Sequence, residues 1–79
     1  MKVLVLFFGA TADAVGKREI EIDLHDDTKA ADAFAQIVDA YPNLKQHSLL
    51  FAINQEYAKG ETIINDGDEL AVFTAVSGG

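Results

Sequence analysis

The 79 residues close on Ser77-Gly78-Gly79, and this end carries a carboxylate that could react without a neighbouring side chain. Two successive glycines favour a mobile, slender end, because glycine loses the most backbone freedom on ordering. Fraying of a chain end is the simplest account of such a tail. The chemical account is that the Gly79 carboxylate enters a narrow channel in another protein and reacts there. A free carboxylate is a poor electrophile, so this requires adenylation by a separate ATP-using enzyme. A sulfur or amine nucleophile can then displace AMP at the carbonyl carbon. The missing Cβ atoms of Gly78 and Gly79 clear both the channel and the attack trajectory. From Val76 to Gly79 the extended reach is at most about 13–14 Å, so the domain can stay outside the pocket.

The rest of the chain offers no rival chemistry. His25 and His47 are isolated from each other in the sequence and have no cysteine or Glu-x-x-His partner, a poor start for a metal site. Asp66, Asp68 and Glu69 resemble part of a calcium loop, but the glycine comes too early and no carboxylate falls at the twelfth position. Asp66-Gly67-Asp68 reads instead as a hairpin turn. Glu19, Glu21 and Asp23 alternate along one strand face, which is a solvation pattern rather than an acid–base pair. Gly9 and Gly16 do not form a phosphate cradle. No Ser-His-Asp set stands at an interpretable spacing, and neither a metal nor a bound cofactor is expected.

Composition narrows the setting. The chain is short enough to be one domain, burying roughly 60% of the surface its unfolded form exposes. With 49% hydrophobic residues it is not expected to be disordered. No apolar run approaches the roughly 20 residues of a membrane span. The apolar run from Val3 to Phe8, behind Lys2, is too short for a secretory h-region, so a soluble, cytoplasmic protein is expected. There are no cysteines, which removes disulfides, thiolate metal sites and thiol chemistry. Any sulfur handled here must sit on another group, and the C-terminus is the candidate. A net charge of −7 makes nucleic acid and anionic membranes poor partners and a basic protein surface a better one.

The elements that must position the tail follow from periodicity. Val3-Leu4-Val5-Leu6-Phe7-Phe8 is a β-branched and aromatic run ended by Gly9, read as a strand buried on both faces. The Ala-rich segment 9–16 has room for one short helical turn. Segment 19–24 alternates strictly, with Ile20, Ile22 and Leu24 inward, and completes a hairpin with a wide loop. Ala30, Ala33, Phe34, Ile37, Val38 and Tyr41 follow helical spacing, stopped by Pro42, with Asp27 or Thr28 as N-cap. Further strands are expected over 49–53, weakly over 57–64, and over 69–76 after the turn at Asn65-Asp66-Gly67-Asp68. One helix and four or five strands predict an α+β domain, a single mixed sheet with the helix across one face. The most hydrophobic runs, first and last, belong adjacent at its centre, which is the β-grasp arrangement.

Strand parity then exposes a surface. If Lys2 and Glu69 point away from the core, so do Leu4, Leu6, Phe8, Ala71 and Phe73, while Val3, Val5, Phe7, Leu70 and Val72 face the helix. Leu6, Phe8 and Phe73 are left uncovered on the far face, a cluster of the kind that marks a protein contact.

Segments 2–8 and 30–41, Ala52-Ile53-Asn54-Gln55, Asp66-Gly67-Asp68-Glu69 and Val76-Ser77-Gly78-Gly79 together resemble the ubiquitin-like sulfur carriers, most closely the small subunits of molybdopterin synthases. The likeness covers nearly the whole chain. It implies a ubiquitin-like β-grasp domain over 1–76 and a flexible Gly-Gly tail over 77–79. It also implies that an ubiquitin-activating-type enzyme adenylates Gly79 with ATP and that a persulfide donor converts it to a thiocarboxylate. The large synthase subunit would receive the tail, pass the sulfur to cyclic pyranopterin monophosphate, and form a heterotetramer with its carriers. Phe8, Tyr57 and Phe73, with Val76 and Ser77 leading into the tail, are the partner-binding positions so implied. Two positions depart from the family pattern: Ala12 stands where an arginine is frequent, and Thr74-Ala75 where a proline pair is frequent. Three other functions share features of the sequence. A thiamine-thiazole sulfur carrier shares the fold and the tail, though the long segment 9–16 favours the molybdopterin branch. A protein modifier joined to lysines through Gly79 shares the activation step. A plain interaction domain would never have its tail activated.

Overall fold

In a computed structural model, which describes residues 1–75, β1 (Lys2–Phe7) and β5 (Glu69–Thr74) lie side by side and parallel. The other strands are β2 (Glu19–Asp23), β3 (Leu49–Ile53) and β4 (Glu56–Tyr57), and the sheet order is β2-β1-β5-β3-β4. β1 pairs antiparallel with β2, and β3 pairs antiparallel with both β5 and β4. The parallel contact between the first and last strands makes the sheet mixed. The hydrophobic runs at the two ends of the chain therefore meet at its middle, as their composition predicts. The expected domain boundary after residue 76, with Val76, Ser77, Gly78 and Gly79, lies outside the described residues.

Alternation divides β1 and β5 as Lys2 and Glu69 indicate. Val3, Val5, Phe7, Leu70 and Val72 are buried on one face, while Leu4, Leu6, Ala71 and Phe73 are half-buried on the other. The sequence expectation that β1 is buried on both faces is thereby corrected. Its outer side chains are screened only by their sheet neighbours.

The helix α2 (Ala30–Ala40) packs Ala30, Ala33, Phe34 and Ile37 onto the inner face, where Phe34 stacks on Phe51 at 4.0 Å between ring centroids. Tyr41, before Pro42, leaves the helical region at φ −130°, and Pro42–Gln46 continues as a 3-10 turn that buries Leu44. A second short helix, α1 (Ala10–Val15), fills the β1–β2 connection, where the sequence suggests a single turn. Its Ala12, Ala14 and Val15 pack on the same core.

Two local expectations are overturned. Neither Asp27 nor Thr28 caps α2: Lys29 stands at the cap without a side-chain bond. The Thr28 hydroxyl donates to the carbonyl of His25, and Asp27 adopts φ 64°. The first helical amides instead donate to distant carbonyls, Ala30 to Thr62 at 2.8 Å and Ala31 to Gly60 at 3.0 Å. A backbone segment thus satisfies the donors that a side chain normally satisfies. Nor is Asp66-Gly67-Asp68 a hairpin turn, because the strand it precedes, β5, pairs with β1 and β3 and not with β4.

That turn is held by its own acids. Asp66 Oδ1 accepts the Lys2 amide at 3.0 Å, while Asp68 accepts the Asn65 amide at 2.8 Å and the Asn54 side-chain amide at 3.0 Å. Asn54 also accepts the Glu69 amide through Oδ1, at 3.0 Å. Asn54 and Gln55 both have positive φ, 51° and 71°, as a two-residue β3–β4 turn twisting with its strands requires. Asn54→Ala should therefore destabilise the domain by about 2–3 kcal/mol, combining two lost hydrogen bonds with a left-handed Ala. Asn54→Gly should recover about 1 kcal/mol of that, the conformational part. Urea unfolding of the three proteins checks both values.

Candidate functional site

The outer sheet face is the surface on which the predicted site residues come together. Register places Leu50 opposite Phe73, Ala52 opposite Ala71, and Tyr57 opposite Ala52. The Tyr57 ring thereby reaches Phe73, with centroids 6.0 Å apart and planes tilted by 43°. Tyr57 is 75% exposed. Phe8, which follows β1 in alternation, is 51% exposed. Its amide still donates to the Val72 carbonyl, which aligns Phe8 with Phe73 across the parallel pair. Phe8, Tyr57 and Phe73 thus share one face at the end of the sheet from which β5 runs on towards residues 76–79.

Beside Phe73 a shallow groove of about 290 Å³ is lined by Ala52, Gln55, Tyr57, Ala71 and Phe73. Neither Ala52 nor Gln55 is marked as a site residue by the sequence pattern. β3 parity places Ala52, since its partner Ala71 already faces outward. Gln55 reaches the groove only through the positive-φ turn, which leaves no periodic signal. Small side chains at 52 and 71 leave the groove open between the larger Leu50, Tyr57 and Phe73. Among the described residues both helices lie on the opposite face with the core, so an apolar strip stays open to a partner.

The strip has an acidic margin. β2 sets Glu21 opposite Leu4 and Glu19 opposite Leu6. Lys2 pairs with Glu21 at 3.5 Å, but both side chains are mostly exposed and solvent screens the attraction. The face is therefore apolar at its centre and negative along β2, suited to a basic-rimmed apolar cleft.

Among the described residues no three His, Cys, Asp or Glu side chains group as metal ligands. Of the acids in the calcium-like pattern, Asp66 Oδ1 and both oxygens of Asp68 accept the hydrogen bonds that fix the turn. No described helix is long and apolar enough to cross a membrane. The chemistry predicted at Gly78 and Gly79, and the partner contacts predicted at Val76 and Ser77, fall outside the described residues. Of the two departures, Ala12 packs on the core from α1, while Thr74 ends β5 opposite Leu49 and Ala75 follows it, its amide donating to Ser48 at 3.3 Å.

A mixed five-stranded sheet with parallel terminal strands, one long helix on one face and an apolar strip on the other defines a ubiquitin-like β-grasp domain. The SAMP1 crystal structure from Haloferax volcanii superposes with a TM-score of 0.88, at 28% identity and over 100% of both chains. The chain belongs to the ThiS family, whose profile matches residues 5–79. It is 35% identical to the molybdopterin synthase sulfur carrier subunit of Chlamydomonas reinhardtii over 100% of both chains. To the protein so named in Mycobacterium tuberculosis it is 36% identical, over 100% of this chain and 99% of that one.

Proposed function

We infer that the chain is the sulfur carrier subunit of a molybdopterin synthase, working in molybdenum cofactor biosynthesis and not catalytic by itself. The observation that carries this is the end-to-end likeness to curated sulfur carrier subunits, with a family match that runs through residue 79. In this reading a separate enzyme of the ubiquitin-activating type joins AMP from ATP to the Gly79 carboxylate and releases pyrophosphate. The outer sulfur of a donor persulfide displaces AMP at the carbonyl carbon to give an acyl disulfide. A thiol then attacks the donor's sulfur in that disulfide, releasing the thiocarboxylate and leaving the donor in a disulfide with the thiol. The large synthase subunit then accepts the tail and delivers the sulfur to cyclic pyranopterin monophosphate in the cytoplasm. The chain itself binds no cofactor.

The division of labour fits the structure. The described body supplies a docking surface, Phe8, Tyr57 and Phe73 with Ala52, Gln55 and Ala71 between them, while Val76 and Ser77 lead the tail into the partner. An exposed apolar strip of this kind is stabilised by burial against a complementary subunit. Joining Gly79 to lysines is the competing use of the same activation. The likeness at 28% to an archaeal SAMP1 supports it less than the curated likenesses at 35% and 36% support sulfur transfer.

Incubation with ATP, the activating enzyme and a sulfur donor is expected to raise the intact mass by the difference between sulfur and oxygen. Addition of the large subunit and the pyranopterin should return the mass to its starting value. A protein that never gains this mass, or that appears instead as lysine adducts, would remove the sulfur-carrier assignment.

A further inference from the structure

Thr11 is the one buried polar residue of the described chain, 0% exposed, set in a short helix, Ala10–Val15, whose other residues are alanines, Val15 and the exposed Asp13. A hydroxyl taken out of water is unfavourable unless its hydrogen bonds are restored, and here they are. Oγ1 lies 2.7 Å from the Phe8 carbonyl and 2.7 Å from the Val72 carbonyl, and accepts the Phe8 amide at 3.0 Å. The same amide also reaches the Val72 carbonyl at 3.2 Å, and the Thr11 amide donates to Phe8 at 3.2 Å. Gly9, at φ 57°, makes the reversal that brings Thr11 back under Phe8.

The place of this knot in the chain gives it meaning. Phe8 belongs to the docking face, and Val72 immediately precedes Phe73. β1 ends at Phe7, opposite Val72, so beyond the knot β5 is paired only with β3, Phe73 with Leu50 and Thr74 with Leu49. Thr11 therefore clamps the last point at which the final strand is held from both sides. One hydroxyl proton, shared between carbonyls on the two strands, fixes their relative height at that point.

We propose that Thr11 is a positioning residue for partner docking: its hydroxyl holds Phe8 and Phe73 in register and sets the line along which β5 leaves the sheet. The hydroxyl touches no reacting atom and works through the two backbone segments it joins. This rests on the docking reading above, since it concerns the geometry of that face. A valine has nearly the same shape without the hydroxyl, so Thr11→Val keeps the packing and removes the hydrogen bonds of Oγ1. The backbone bond between Phe8 and Val72 would survive, leaving the strands paired but less closely fixed.

The test compares full-length Thr11→Val and Thr11→Ser with the parent in binding to the large synthase subunit and in sulfur transfer, with Phe73→Asp as reference. Thr11→Val should remain folded, bind about five- to tenfold more weakly, and raise the half-saturating carrier concentration without changing the saturated rate. Thr11→Ser, which keeps the hydroxyl, should bind within about twofold of the parent. Folded Thr11→Val with parental affinity, beside a Phe73→Asp that has lost binding, would overturn the positioning role and leave the docking reading intact. Parental affinity in Phe73→Asp as well would remove the docking reading and the inference with it. If Thr11→Val does not fold, Thr11→Ala serves as the second hydroxyl-free variant. Loss of folding in both would make the hydroxyl a stability element and overturn the proposal.

Discussion

Removal of Gly79 alone is expected to give a protein that melts with the parent but transfers no measurable sulfur. Among the described residues the buried hydrophobics run from Val3 to Val72, and the last backbone hydrogen bond is from Ala75 to Ser48. That framework closes by residue 75, so the melting temperature is not expected to move. The chemistry depends on it twice. A terminal carboxylate remains after the deletion, but it belongs to Gly78 and lies about 3.3–3.6 Å short of its former reach. Misplacement of a reacting group by about 1 Å can reduce a rate by a hundredfold, so a loss well beyond that is expected here. In addition, the residue before the new terminus becomes Ser77, which puts a Cβ where the channel would otherwise meet glycine. Thermal melting and the mass-gain assay read the two halves separately. Sulfur transfer at the parental rate by the shortened chain would remove Gly79 from the mechanism.

Much of the outer apolar face is legible in the sequence alone, for a simple reason. A polar residue at one end of each central strand, Lys2 on β1 and Glu69 on β5, fixes the parity of every residue after it. Phe8 and Phe73 follow by counting. The helix is equally plain, because its apolar spacing and Pro42 are both local signals. Tyr57 is different: β4 is only two residues long, and its side chain owes its place to pairing with Ala52. Periodicity has nothing to count there, and only the pairing brings Tyr57 beside Phe73.

The misreadings share a cause in contacts that are distant along the chain. The cap of α2 comes from the carbonyls of Gly60 and Thr62, beyond the whole of β3 and β4, and no local cap motif announces it. Asp66-Gly67-Asp68 has good turn chemistry, but turn chemistry does not say which strands will pair on either side. Thr11 reads as an indifferent residue in an Ala-rich stretch until β5, 61 residues later, brings Val72 against it. That separation also explains why the parallel β1–β5 contact, the centre of the sheet, is signalled by hydrophobicity and not by any turn.

Phe73→Asp is expected to leave the domain folded and to weaken binding to the large subunit by at least about thirtyfold, the scale of an interface hot spot. Phe73 is half-buried on the outer face, so the change opens no cavity in the core. Loss of its pairing with Tyr57 should reduce stability by about 0.5–1.5 kcal/mol, and the new carboxylate can remain in water in the free protein. In the complex it cannot. Phe73 sits beside the groove between Ala52 and Ala71, and a partner that fills this groove must remove water from whatever replaces the ring. An unpaired carboxylate is far more costly to bury than an aromatic ring is favourable, which is why the loss should exceed that of a simple truncation. Charge alone does not predict this outcome, because the protein is already acidic and its partner is expected to be basic. Lys59→Asp separates the two effects. Lys59 is exposed and lies with Phe34 and Phe51 on the helix side, so that variant lowers the net charge further without touching the strip. Titration calorimetry should give Lys59→Asp near-parental affinity and Phe73→Asp a large loss. Changes of similar size and sign in the two would mean that net charge, and not the aromatic strip, governs docking.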